Sequence, residues 1–333
     1  MLPPRTRHRE AVRPRFLAVV WVLALASVLA SPTVLIAGDL VFSIPLDDLK
    51  VWAEKIVVPM EVTIHGHSAV HSLNSDCEMH FGAESANYKG DPPGLVLEPM
   101  NLCVEPFFGQ DEESDADWTD FGDEAVDKTV QAEGVPRIWP EHIGGQAPTP
   151  SNPHHAIELH PLIRLTVDGQ ARDFSSFISD APGYTGGLQP ASALRILAKT
   201  KVSVAQSDDG MVKVTFNYSG PGHIGNFTLL HVKIINSSVT SADGGHRMNG
   251  SVKGSNGAAI TVRLVSVAGS HFDDSLADLL QSNGTSAELD ALALLALSPE
   301  ALYKSAKLSH GNSVPVSHPI QLIIYGEETG EQQ

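Results

Sequence analysis

Apolar positions between residues 57 and 167 recur with a period of two, the spacing of strands that bury one face. Residues 57–73 predict a long strand, with Val62 and Ile64 on one side and Thr63 and His65 on the other. Residues 76–83 alternate strictly. Cys77, Met79, Phe81 and Ala83 face one way; Asp76, Glu78, His80 and Gly82 face the other. A third strand is expected over 94–103, broken at Pro99, and a fourth over 128–139. The fifth, 155–167, turns Ile157, Leu159, Ile163, Leu165 and Val167 inward and Glu158, His160, Arg164 and Thr166 outward. Five strands over 51–167, with a long insertion after the third, predict a small OB-like barrel. The insertion, 110–127, is acidic and reads as a solvated loop, although Trp118 and Phe121 allow a short helix.

Residues 31–50 and 168–195 lack such a pattern and read as linkers. From 196 to 327 the chain predicts an antiparallel β domain, with strands at 211–218, 227–239, 258–267 and 318–326 around a Gly-rich stretch at 242–257. Helices are expected within about 273–306. One covers 273–281. A second opens at a capping box, Thr285-Ser286-Ala287-Glu288, and runs to Leu297. A third starts at Ser298-Pro299-Glu300, with proline at its first position. The polar tail, 328–333, is expected to be disordered. The fold class is therefore mainly β (α+β overall): an OB-like five-stranded barrel, then an antiparallel β domain with C-terminal helices.

Ahead of both lies a targeting pattern. Arg5, Arg7, Arg9, Arg13 and Arg15 precede an apolar run from Phe16 to Ala30. A basic segment, a short apolar core and small residues at its end form a signal peptide over 1–30. The alternative is an uncleaved membrane anchor over residues 16–37, which carry no charge. The expected location is periplasmic or extracellular. There, Cys77 and Cys103 are free to form a disulfide. Sequons at Asn217, Asn226, Asn236, Asn249 and Asn283 matter only in a host that glycosylates.

The formal net charge of -17 argues against nucleic acid and against anionic lipid surfaces as partners, because no basic patch follows the signal. The sequence contains no P-loop, dinucleotide fingerprint or Gly-x-Ser-x-Gly elbow. A nuclease-like barrel would need arginines to stabilise phosphorane charge, and the barrel segment offers only Arg137 and Arg164. Asp111, Asp115, Asp117 and Asp120 lack EF-hand spacing, so calcium binding there is not expected.

One constellation stands out. Asp76, Glu78 and His80 share a strand face, as do Glu158 and His160. If those faces adjoin, imidazoles and carboxylates form a nitrogen/oxygen site for zinc, manganese or iron. The expected ligands are His80, Glu158, His160 and Asp76, with Glu78 as a further ligand or general base. His155 points to the opposite face unless the strand bulges. The alternative is a set of polar residues capping the barrel ends.

The segments Asp76-Cys77-Glu78-Met79-His80, Arg137-Ile138-Trp139-Pro140-Glu141-His142 and His155-Ala156-Ile157-Glu158-Leu159-His160-Pro161 resemble those of uncharacterised exported bacterial proteins with an OB-like barrel. The resemblance spans roughly residues 60–165. It implies a barrel and an exported setting, and no activity. The reading of the whole chain is an exported β-rich binding or structural protein; the alternative is a metal-dependent hydrolase with a His/Glu site on the barrel.

Overall fold

In a computed structural model, the described residues are 39–327 apart from 73–74, 109–114, 145–146, 179–186, 223, 226 and 283. The signal segment, the anchor alternative, the tail, Asp111 and the sequons at Asn226 and Asn283 lie outside them. The chain enters through β1 (Leu40–Pro45) and α1 (Leu46–Glu54), where the sequence pattern predicts a linker. The helix buries Leu49 and Trp52, three residues apart on one face, and carries Asp47 and Asp48 in its first turn, where the helix dipole favours acids.

The alternating region then closes into a ring. It comprises β2 (Val58–His67), β3 (Phe81–Glu84), β4 (Gly94–Leu97), β5 (Thr129–Ile138) and β6 (His155–Val167). Between β4 and β5 the acidic insertion forms α2 (Asp115–Ala125) rather than a solvated loop, because Trp118 and Phe121 bury into the core. Pairing runs β2–β3–β4–β6–β5 and back to β2, with β4 and β6 parallel and the other neighbours antiparallel. This is the expected five-stranded OB-like barrel.

After β6 come β7 (Gln170–Asp173), α3 (Pro190–Lys199), β8 (Thr200–Gln206) and β9 (Met211–Tyr218). The segment 168–195 thus carries β7 and the start of α3, and is not a plain linker. The remaining elements are β10 (Phe227–Ile235), β11 (Thr240–Ala242), β12 (Gly245–Lys253), β13 (Ala259–Val267), α4 (His271–Ser282), β14 (Ser286–Leu297), α5 (Pro299–Ser309), β15 (Val314–Pro315) and β16 (Ile320–Glu327). A four-stranded sheet has the order β1-β9-β8-β15.

The other strands close a second ring: β10–β12–β13–β16–β14 and back to β10, with β13 and β16 parallel. Its connectivity repeats that of the first barrel, and its helix α4 sits between the third and fourth strands, as α2 does. Two expectations fail here. The Gly-rich stretch holds β12, whose buried Met248 and Val252 alternate with more exposed neighbours. The segment 285–297 is a strand and not a helix. Its buried Ala287, Leu289, Ala291 and Ala293 lie two apart, and strand pairing on both sides overrides the helix preference of Ala and Leu. By contrast α5 begins as expected, with the Ser298 side chain accepting from the Ala301 N–H.

The two rings meet at one backbone pairing, Ile138 with Leu297. These positions are equivalent. In the first barrel Ile138 pairs with Ile157 and Arg137 with Glu158. In the second, Leu297 pairs with Ile320 and Ala296 with Gln321. Antiparallel pairing of equivalent residues defines a local two-fold relation. Both barrels belong to one compact unit, and a single apolar core runs through both barrels and the four-stranded sheet.

Candidate metal centre

The site is built by alternation on the first barrel. On β4, Leu95 and Leu97 enter the core, so Glu98 next along the chain turns outward. On β6, Ile157 and Leu159 enter the core, leaving Glu158 and His160 outside. Glu78 and His80 come from the segment before β3, pinned by the disulfide between Cys77 and Cys103, whose Cα atoms lie 5.1 Å apart. Strand β4 separates β3 from β6, so Glu98 stands between the two predicted sets.

This outward face is not solvent-exposed. The second barrel covers it with Phe227, Leu294, Ala296, Ile323 and Tyr325, which pack on Met100, Val135 and Ile163 of the first. Glu78, Glu98, Glu158, His160 and Arg137 are at most 2% exposed. The expected surface site is therefore a buried one.

His160 is its centre. Its Nδ1 lies 2.5 Å from Glu98 Oε2 and 3.4 Å from Glu158 Oε2, and its Nε2 lies 2.7 Å from Glu78 Oε1. His80 Nε2 is 3.4 Å from the other Glu98 oxygen. Both Glu78 oxygens, Glu98 Oε2 and His160 Nε2 are buried without a hydrogen bond, so the short contacts of Glu78 and Glu98 with His160 lack hydrogen-bond geometry. Ligand atoms of Glu98, Glu158 and His160 all lie within 4.8 Å of one another, as do those of Glu78, His80 and Glu98.

Around this centre, Glu158 is bound by the Arg137 guanidinium and stands 3.2 Å from His155 Nε2. His155 joins because β6 carries an extra residue opposite Gly94 and Leu95, a bulge that re-aims the side chain. Arg137 Nε also donates to the Leu295 carbonyl of the second barrel at 2.9 Å. Asp76 is diverted: its carboxylate meets His71 Nδ1 at 2.6 Å, and the pair adjoins His80 in a more exposed group.

Electrostatics follow from burial and neighbours. Burial drives the Glu78 carboxyl well above its ordinary range. Burial alone would lower His160, but the Glu78 and Glu98 carboxylates outweigh it and hold the imidazole well above its ordinary value. Burial and the Glu158 charge push Glu98 up, yet His160 and His80 outweigh them and bring it to about 2. For Glu158 burial is outweighed chiefly by Arg137, leaving the carboxyl well below its usual range. Burial lowers His80.

The second barrel provides an internal control. Parallel pairing sets Leu97 beside Leu159 in the first barrel and Leu264 beside Leu322 in the second. The counterparts of Glu98, Glu158, His160 and Arg137 are thus Val265, Gln321, Ile323 and Ala296. The same ring forms without the charged set, so the fold does not require it.

Other sequence candidates separate from the centre. Arg164 lies on the surface, 3.3 Å from Glu133 and 3.1 Å from Asp173, while Arg137 is buried against Glu158. Away from the sequence candidates, Ser266 Oγ and His246 Nδ1 both meet Asp273 Oδ1, so the serine hydroxyl is bonded to the acid and not to the imidazole, unlike a nucleophile held by its base. No helix among the described residues is long and apolar enough to cross a membrane. No known protein family, curated protein or solved structure matches the chain.

Proposed function

We propose that this chain is an exported binding protein that holds a divalent metal ion, zinc fitting best, through Glu98, Glu158 and His160. The carrying observation is the convergence of buried Glu98, Glu158 and His160 atoms at 2.5–3.4 Å, with the Glu98–His160 contact lacking hydrogen-bond geometry. Zinc accepts a mixed nitrogen/oxygen set, and a divalent charge offsets two of the three buried carboxylates. Glu78 then serves as the carboxylate partner that orients His160 from its far nitrogen, the usual second support of a ligating imidazole. The absence of these residues from the second barrel favours a dedicated site over a structural brace.

The hydrolase alternative needs an open coordination position for water and substrate. Donors at most 2% exposed, sealed by a second barrel, favour a binding or structural ion instead. Export rests on the arginine-flanked apolar run and agrees with the Cys77–Cys103 bond. Residues 1–40 fused to alkaline phosphatase should direct it out of the cytosol; a cytosolic fusion removes that part of the proposal.

Metal content of the purified chain after zinc dialysis tests the site. About one equivalent is expected in the parent and none in His160→Ala, with the circular dichroism of both unchanged. A parent that retains no metal, and whose melting temperature ignores zinc and chelator alike, refutes the proposal.

A further inference from the structure

A cavity of about 510 Å³ opens on the outer face of the second barrel, and none of its lining residues belongs to the metal centre. Its lining includes Asn249 of β12, Arg263 of β13, Gln321 of β16, Thr240 of β11 and Tyr303 and Lys304 of α5. This volume falls within the range of about 300–1,000 Å³ typical of small-molecule sites.

The cavity is locally basic on an acidic protein. Arg247, Arg263 and Lys304 line it, against Glu300 inside and Glu54 at the end of α1. Arg247 is committed, because its guanidinium donates to the carbonyls of Trp52, Glu54 and Lys55 at 3.1–3.3 Å and closes the end of α1. Lys304 bonds Glu300 and keeps two further donors, with its side chain 66% exposed. Arg263 reaches Glu300 only at 3.4 Å, and its Nε is buried without a hydrogen-bond partner. Its side chain is 27% exposed and belongs to the cavity lining.

A guanidinium with one protein acceptor, at 3.4 Å, keeps N–H donors for a ligand, and planar oxyanions match the guanidinium fork. Tyr303, in the same lining, supplies aromatic surface for the carbon part of such a ligand. We propose that this cavity binds a small organic anion, its carboxylate or phosphate oxygens held by Arg263 and Lys304 and its body resting against Tyr303 and Gln321.

Calorimetric titration of the full chain at low salt tests this, with inorganic phosphate and succinate as separate probes. At least one should bind, and the stronger of the two names the head group. Arg263→Gln should weaken that binding by about tenfold or more, as expected when a charge-assisted hydrogen bond is lost. If Arg263→Gln does not fold, Asn249→Trp narrows the cavity while keeping its charges and should weaken binding as well. Failure of both probes to bind the parent overturns the proposal, and so does undiminished affinity in a folded variant.

Discussion

The Glu98 carboxylate meets His160 Nδ1 at 2.5 Å through one oxygen and faces His80 Nε2 at 3.4 Å through the other. It is the common member of the two groups that contain Glu158 and His160 on one side and Glu78 and the partly buried His80 on the other. Removing its charge should therefore do more than removing that of Glu78. Glu98→Gln is expected to lose stoichiometric zinc. Glu78→Gln, which alters only the support of His160, should weaken zinc about 10–100-fold. Competition with a chelator of known affinity separates the two; equal losses would reject the assigned roles.

Arg137 is fully buried and bound to Glu158. Arg137→Met leaves that carboxylate without its guanidinium and should destabilise the metal-free chain by about 3–5 kcal/mol in urea unfolding. The double variant Arg137→Met, Glu158→Gln approaches the Ala296 and Gln321 of the second barrel and should recover most of the loss. Additive losses in the double variant would mean that the two residues are not coupled.

The bond between Cys77 and Cys103 closes a loop of 26 residues around both Glu78 and Glu98. The chain-entropy model assigns such a loop about 3–4 kcal/mol. Cys77→Ser with Cys103→Ser should lower stability by that order and weaken zinc binding together. A variant with parent-like urea midpoint and zinc affinity would show that the bond supports neither.

Acid should unfold the metal-free chain through this cluster. Glu98, at about 2 when folded, titrates near 4.3 when unfolded, so its contribution is present above about pH 4.3 and is lost as pH falls toward 2. Glu158, also held low, acts in the same direction. His160 is raised, so its contribution is full below about 6.5 and declines as pH rises through its folded value. Unfolding free energy measured with chelator should fall below about pH 4.3, and Glu98→Gln should flatten that limb.

Much of the first barrel was legible because Met79, Phe81, Ile157 and Leu159 alternate with charged neighbours. Glu98 follows the same rule, two residues beyond Val96, but Pro99 directly after it breaks the strand pattern. His155 was hidden by a bulge, which leaves no periodic trace. The second barrel was harder. In β14 the alanines and leucines prefer helix, and this masks the period-two spacing of Ala287, Leu289, Ala291 and Ala293 that pairing with β10 and β16 makes decisive. A signal was nevertheless present: His155-x-Ile157-Glu158-Leu159 reappears as His318-x-Ile320-Gln321-Leu322, and Pro140-Glu141 as Pro299-Glu300. Burial of the site depends on how two barrels dock, which local pattern does not encode.

The pairing of Ile138 with Leu297 has a consequence for what the junction can contain. Two separate copies of one barrel, docked in the same way, would bring each side chain near the axis up to its own twin, Arg137 toward Arg137. Carrying both barrels on one polypeptide removes that constraint. Each side of the junction is free to differ, with ionisable groups on one and hydrocarbon on the other. A charge-rich pocket roofed by an oily lid is a solution open to a covalent pair and closed to an identical couple.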